Sequence, residues 1–221
     1  YAAAREPSQI PLLGVLPIRL DVRDPAQVAQ AAADCRDVTL LINNAGIGRL
    51  GGFVGGDAET DPVAVLREQL ETNLFGMLHM SRAFAGVLGR NGGGAMLNLL
   101  SLFSWANTPM IGAYGVSKAA AWALTNGLRH ELRAQGTQVV GFHAGPIDTD
   151  MVRALEVPKA SPEDVVRMRH HGLTLNLTSE IERARAYCAG GPGIKADWLR
   201  RELAPPVNPR VPPGLDPCTV P

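Results

Sequence analysis

Three cysteines in a chain of 221 residues, Cys35, Cys188 and Cys218, are too few and too scattered for a disulfide framework or a metal centre. They read as reduced thiols, and that reading points to the cytoplasm. Long apolar runs are lacking too, since no window approaches eighteen unbroken apolar residues. The N-terminal stretch YAAAREPSQIPLLG has no basic region followed by an apolar core, so neither a spanning segment nor a secretory leader is expected. Charge of one sign is also missing: 21 Lys and Arg balance 21 Asp and Glu, which leaves no electrostatic footing for nucleic acid or an anionic membrane. Internal repeats are absent. His170 and His171 are adjacent, so on a helix they point apart, and no metal site is expected there.

What remains is enough for one well-buried α/β domain. Its most informative stretch is SLFSWANTPMIGAYGVSK, residues 101–118. Tyr114 and Lys118 are four apart, which on a helix sets an ammonium one turn from a phenol. A nearby positive charge favours the phenolate and lowers the tyrosine pKa from its usual ~10 toward neutrality. Such a tyrosine serves as a general acid or base. Ser101 follows the apolar run AMLNLL, where a strand should end and aim its last side chain into a cleft. Its hydroxyl is placed to hold a carbonyl oxygen that the tyrosine protonates.

Three further islands accompany this stretch: LINNAG at 41–46 after a strand-like run, ETNLFG at 71–76 within a long amphipathic segment, and AGPIDT at 144–149 after another apolar run. In this order and at these spacings, over residues 1–165, the sequence resembles the short-chain dehydrogenase/reductase family. The resemblance implies a Rossmann-like α/β fold, a three-layer parallel sheet with helices on both faces, and an oxidoreductase that passes hydride between NADP(H) and a carbonyl or alcohol. It assigns Asn73, Ser101, Tyr114 and Lys118 as catalytic. Asn73 would bend its helix and hold a water in a proton relay, and Lys118 would also bind the nicotinamide ribose.

The resemblance further implies that Asp21 and Val22 flank an adenine ring and that Asn44, Ala45 and Gly46 line the adenosine side of the cofactor. The bland alternative for Asp21 is a cap for the helix that follows. Arg5, at the end of the alanine stub, would pair with the extra phosphate of NADP, which favours NADP(H), with NAD(H) the alternative. Tyr114 and Lys118 belong to the cofactor set as well, with Gly145 keeping a turn, Ile147 offering its backbone and Thr149 its hydroxyl. Relatives usually carry Pro-Gly where this chain has Ala144-Gly145. His143, just before that turn, reads as structural. By the same resemblance, the two long helical stretches, residues 60–90 and 113–135, would pair into a homo-oligomer, and residues 148–161 would form a loop over the substrate.

One part of the pattern is missing: no G-x-x-x-G-x-G follows a strand, and GRLGGFVGG at 48–56 comes at the wrong place and reads as a loop beside the cleft. In the implied strand order the absent strand lies between YAAA and TLLIN, so two sheet edges should stand unpaired. The chain is therefore expected to be a fragment, a truncated product, or a departure that closes its sheet another way. Residues 1–190 are expected to form one incomplete dinucleotide-binding and catalytic domain, with a strand at LTLNL. Residues 191–221 carry eight of the 17 prolines and read as an irregular tail. Two rival readings follow: a catalytically inactive partner subunit lacking a cofactor site, and a nucleotide-binding regulator that would not need Ser101 or Tyr114.

Overall fold

The computed structural model describes residues 1–10, 13–54, 61–153 and 156–165. The expected strand at LTLNL, the proline-rich tail, His170, His171, Cys188 and Cys218 lie outside them.

Among the described residues all strand pairings are parallel, and they fall into two groups. Strand β1 (Ala2–Ala4) pairs with β2 (Pro17–Arg19), and β3 (Leu40–Asn43), β4 (Ala95–Ser101) and β5 (Gln138–Ala144) form a second sheet in that order. Pro17 thus sits in an edge strand, as its missing N–H requires. The strand expected over residues 14–22 is shorter, because Gly14 turns at φ 79° and the chain after Leu20 turns again toward the next helix. Between β1 and β3 the sheet is open. A cleft of about 970 Å³ separates them, lined by Ala3, Ala4, Ile18 and Leu20 on one side and by Leu40–Ile47 on the other. The two edges expected to stand unpaired do so, and the described residues do not close the sheet by another route.

Helix α1 (Pro25–Asp34) starts at an Asp-Pro step, where Asp24 accepts from the amides of Ala26 and Gln27. Asp24, and not Asp21, is therefore the cap, which removes the bland reading of Asp21. The long stretch expected to be one helix consists of α2 (Pro62–Leu70), a π-helical turn over Glu71–Gly76, and α3 (Met77–Arg90). Helix α4 (Gly112–Glu131) is followed by a short 3-10 turn ending at Gly136, φ 78°. Glycines 92–94 end α3 with positive φ, and at Gly94 a Cβ would come 2.2 Å from the Thr39 carbonyl oxygen, so no other residue fits.

The core packs Val28 and Ala31 of α1, Phe84, Val87 and Leu88 of α3, Leu128 of α4, Met96 of β4 and Val139 of β5. Strand alternation decides which residues of β3 join it: Leu41 and Asn43 are buried, whereas Leu40 and Ile42 remain 45% and 41% exposed. A polar ladder crosses the same face. Asn43 donates to Asn98, its register partner on β4, at 2.8 Å and to Ser81 of α3 at 3.3 Å; Asn98 donates to Thr125 of α4 at 3.0 Å. It ties α3 and α4 to one face of the sheet at a fixed register. Replacing Asn98 by Leu would leave the Asn43 amide short of its acceptor in a dry core. Urea denaturation of this variant is expected to show a loss of about 2 kcal/mol; an unchanged midpoint would dismiss the ladder as a stabilising element.

Candidate active site

Ser101 is the last residue of β4, and its extended backbone turns directly into a 3-10 turn over Leu102–Ser104. Its hydroxyl accepts from the Phe103 amide at 3.2 Å, which fixes the side chain at the strand end. Tyr114 and Lys118 occupy the first two turns of α4, on one face as their spacing predicts. The Lys118 Nζ lies 5.8 Å from the centre of the Tyr114 ring, and the Ser101 side chain is near enough to the phenol to favour its ionised form. Phe103 meets the same ring edge-on, with centroids 6.4 Å apart. The serine, tyrosine and lysine named from sequence therefore converge, although they come from two separate elements, β4 and α4.

Their electrostatics differ from the expectation. Burial pushes the Tyr114 phenol above its ordinary value, and the neighbouring Ser101 side chain offsets only part of that rise. Lys118, 5% exposed, donates to the Leu99 carbonyl at 2.9 Å, and burial pushes its pKa down to about 8. Spacing placed the ammonium near the phenol correctly, but burial decides both pKa shifts, raising the phenol and lowering the ammonium. At neutral pH the phenol keeps its proton and is a donor.

Asn73 lies within the π-helical turn and is fully buried. Its Nδ2 donates to the Ile47 carbonyl at 2.9 Å and to Ser117 Oγ at 2.8 Å, and its Oδ1 accepts from the Ile47 amide at 2.8 Å. The extra residue of the π turn directs the amide sideways, so it clamps the loop after β3 against α4 instead of bonding its own helix. That loop comes very close: a Cβ at Gly46 would stand 3.3 Å from Asn73 Oδ1 and 3.5 Å from Lys118 Nζ, and one at Gly48 would stand 3.6 Å from the Tyr114 ring. The glycine-rich stretch expected beside the cleft continues from here. Gly51 bridges Ile111, and Phe53 packs where a side chain at Gly112 would be.

Arg5, Asp21, Val22, Asn44, Ala45 and Gly46 all line the cleft between the two sheets, and Gly46 joins that cleft to the Tyr114–Lys118 site. Asp21 is engaged: Arg23 grips both carboxylate oxygens, at 2.6–3.2 Å, and holds its pKa down to about 2. Gly145, Ile147 and Thr149 follow the end of β5 and are not among the residues lining this cleft. Thr149 donates to the Ile147 carbonyl at 3.2 Å, closing a turn, and Ile147 forms a parallel bridge with Ala160. Beyond it Met151, in a short 3-10 turn, approaches Gly48, with Sδ 3.3 Å from the Cβ position there. Sequence reasoning missed Ser117, Gln69, whose Oε1 accepts from the Arg49 amide at 3.2 Å, and the Ser104–His143 contact at 2.7 Å. Only Gln69, one helical turn before Asn73, carried a readable signal.

The sequence profile of the family described as short chain dehydrogenase matches residues 3–159. An NADPH-dependent 3-dehydrocapnine reductase from Ornithobacterium rhinotracheale is 30% identical over 120 residues, covering 52% of this chain and 41% of the reductase. A 7alpha-hydroxysteroid dehydrogenase from Escherichia coli K12 is 32% identical over 123 residues, 55% of this chain and 46% of that enzyme. The chain thus spans less than half the length of these curated relatives. Among solved structures, a short chain dehydrogenase from Burkholderia cenocepacia J2315 in complex with NADP superposes with a TM-score of 0.74 at 33% identity, covering 93% of this chain and 86% of that one.

Proposed function

The chain belongs to the short-chain dehydrogenase family, and from that premise we propose that it is an oxidoreductase interconverting a small carbonyl compound and its alcohol with NADP(H). The observation that carries this reading is the meeting of Ser101, Tyr114 and Lys118 next to Gly46, a residue that also lines a cleft large enough for a small molecule or cofactor. The residues fit a nicotinamide dinucleotide at both ends: Asn44–Gly46 bring bare backbone and small side chains to the cleft, and Lys118 stands beyond Gly46. Arg5, exposed at the cleft rim and near enough to Asp21 to help lower its pKa, is the cation we assign to the extra phosphate of NADP, with NAD(H) second. When bound, the cofactor supplies the hydride.

The protein supplies the proton and its path. Ser101 holds the substrate oxygen by its hydroxyl, and Tyr114, protonated at neutral pH, donates to that oxygen as negative charge develops on it. Lys118 holds positive charge near the phenol and the ribose of the cofactor. Asn73 fixes the loop after β3 against α4 and keeps the relay in register. The small substrate reaches the site beside Gly48 and Met151. The exposed Val63, Phe75 and Val116 on the α2–α4 side suit a homo-oligomer formed through the two long helical stretches. A cytoplasmic setting, where thiols stay reduced, suits the free buried Cys35.

A second reading, an inactive partner subunit, is favoured by one observation, the open sheet between β1 and β3 where a cofactor's phosphates would need a floor. Fluorescence titration of the full chain separates the two. Saturable NADPH binding in the micromolar range, at least tenfold tighter than NADH, is the expected result. No saturation up to about millimolar NADPH, a binding free energy weaker than roughly 4 kcal/mol, would leave only the second reading.

A further inference from the structure

We propose that His143 is a positioning residue for the Ser101 hydroxyl: with its proton on Nδ1 it acts with Ser104 to hold the Ser101 carbonyl, and through that residue's backbone the hydroxyl that meets Tyr114. The inference rests on the role assigned to Ser101 above and goes beyond it in naming what holds that serine in place.

The proton inventory carries the argument. Ser104 Oγ donates to the Ser101 carbonyl oxygen, and that uses its only proton. His143 Nδ1 lies 2.7 Å from Ser104 Oγ and 3.2 Å from the same carbonyl oxygen. A carbonyl only accepts, and the serine has no second proton, so Nδ1 must be the donor to both. The imidazole is therefore the Nδ1–H tautomer. Its orientation is fixed from the sides: Trp105 stacks on the ring, centroids 3.9 Å apart and planes at 22°, and Trp122 meets it edge-on at 5.6 Å and 83°. Ser101, Ser104 and His143 are each less than a tenth exposed, so water does not compete for these bonds. Burial also pushes the imidazole pKa down to about 4, which keeps the ring neutral and free of charge repulsion at physiological pH.

The consequence for the site is geometric. Ser101 is where β4 ends, and its backbone is paired with Ala144 on β5, next to His143. Holding its carbonyl fixes the peptide that leads into the 3-10 turn, and the amide of Phe103 in that turn binds back to the Ser101 hydroxyl. The hydroxyl is thus held from both sides. Deleting the Nδ1 donor frees the carbonyl to rotate and moves the hydroxyl relative to Tyr114. A merely space-filling histidine would predict no such displacement when Phe replaces it.

The test needs neither cofactor nor turnover, so its failure is distinguishable from failure of the enzymatic reading. The full chain is labelled with carbon-13 at tyrosine Cζ and nitrogen-15 in histidine, and Tyr114 is assigned by loss of its signal in Tyr114→Phe. His143 is expected as the Nδ1–H tautomer near neutral pH; finding the Nε2–H tautomer, the more common form in water, overturns the proposal. Ser101→Ala is expected to displace the Tyr114 Cζ resonance. His143→Phe should displace it in the same direction by at least half as much, and His143→Asn, which restores a donor, should return it close to the wild-type position. Should His143→Phe fail to fold, Ser104→Ala takes its place, with the same displacement expected. A resonance that follows Ser101→Ala but ignores the His143 and Ser104 variants refutes the positioning role alone, whereas indifference to Ser101→Ala removes both the Ser101–Tyr114 contact and this inference.

Discussion

Tyr114→Phe is expected to lower carbonyl reduction by about 10²- to 10⁴-fold while leaving NADPH affinity within about twofold of wild type. The substitution removes one oxygen and nothing else. The ring keeps its edge contact with Phe103 and its place beside Gly48, so the packing of α4 against the loop after β3 is preserved. What is lost is the proton donor at the substrate oxygen. Because burial raises the Tyr114 pKa, the wild-type phenol stays protonated through neutrality, and its capacity to donate should decline only in the alkaline range. The pH profile of reduction should therefore carry no tyrosine-dependent loss between pH 6 and 8, and the variant's residual rate should be flat across that window. Steady-state kinetics with NADPH and a carbonyl panel provides the measurement. Turnover in the variant within threefold of wild type would strip Tyr114 of its role.

The contrast between expectation and structure at this residue shows what a sequence makes legible. Spacing put Tyr114 and Lys118 on one helix face, and the apolar run before Ser101 placed that serine at a strand end, because both are consequences of local periodicity. The order of the islands made the family and its parallel α/β fold readable. The open edge between β1 and β3 followed from the same strand order. What did not follow were properties set by distant neighbours. Lys118 is buried with its ammonium on the Leu99 carbonyl, nineteen residues upstream on another element, and burial sets its pKa. The clamp formed by Asn73 uses the backbone of Ile47, and the His143 ring finds Ser104 across 39 residues. Neither pairing leaves a trace in spacing. Asp24 as the cap of α1 is legible in the sequence, since an Asp-Pro step is a helix start.

Lys118→Met is expected to abolish turnover and at the same time to stabilise the chain by about 1–3 kcal/mol at neutral pH, because a desolvated ammonium without a buried counter-charge is replaced by an apolar side chain of similar volume. Among the described residues no carboxylate forms an ion pair with Nζ; its hydrogen bond goes to the Leu99 carbonyl, an oxygen with two lone pairs on a strand already paired to β5. Losing that bond is therefore cheap compared with the desolvation relieved. The sign of the pH dependence follows from the shift. The pKa of Lys118 falls from 10.5 when unfolded to about 8 when folded, so between those values the unfolded chain binds more protons than the folded one and wild-type stability rises with pH. The advantage of Lys118→Met is thus complete below pH 8 and shrinks as pH climbs from about 8 to 10.5. Urea denaturation of both proteins at pH 7 and pH 9.5 measures it. A variant less stable than wild type at pH 7, or a difference that does not narrow at pH 9.5, would mean that the ammonium is solvated or paired in solution, and the same result would withdraw the buried positive charge from beside Tyr114.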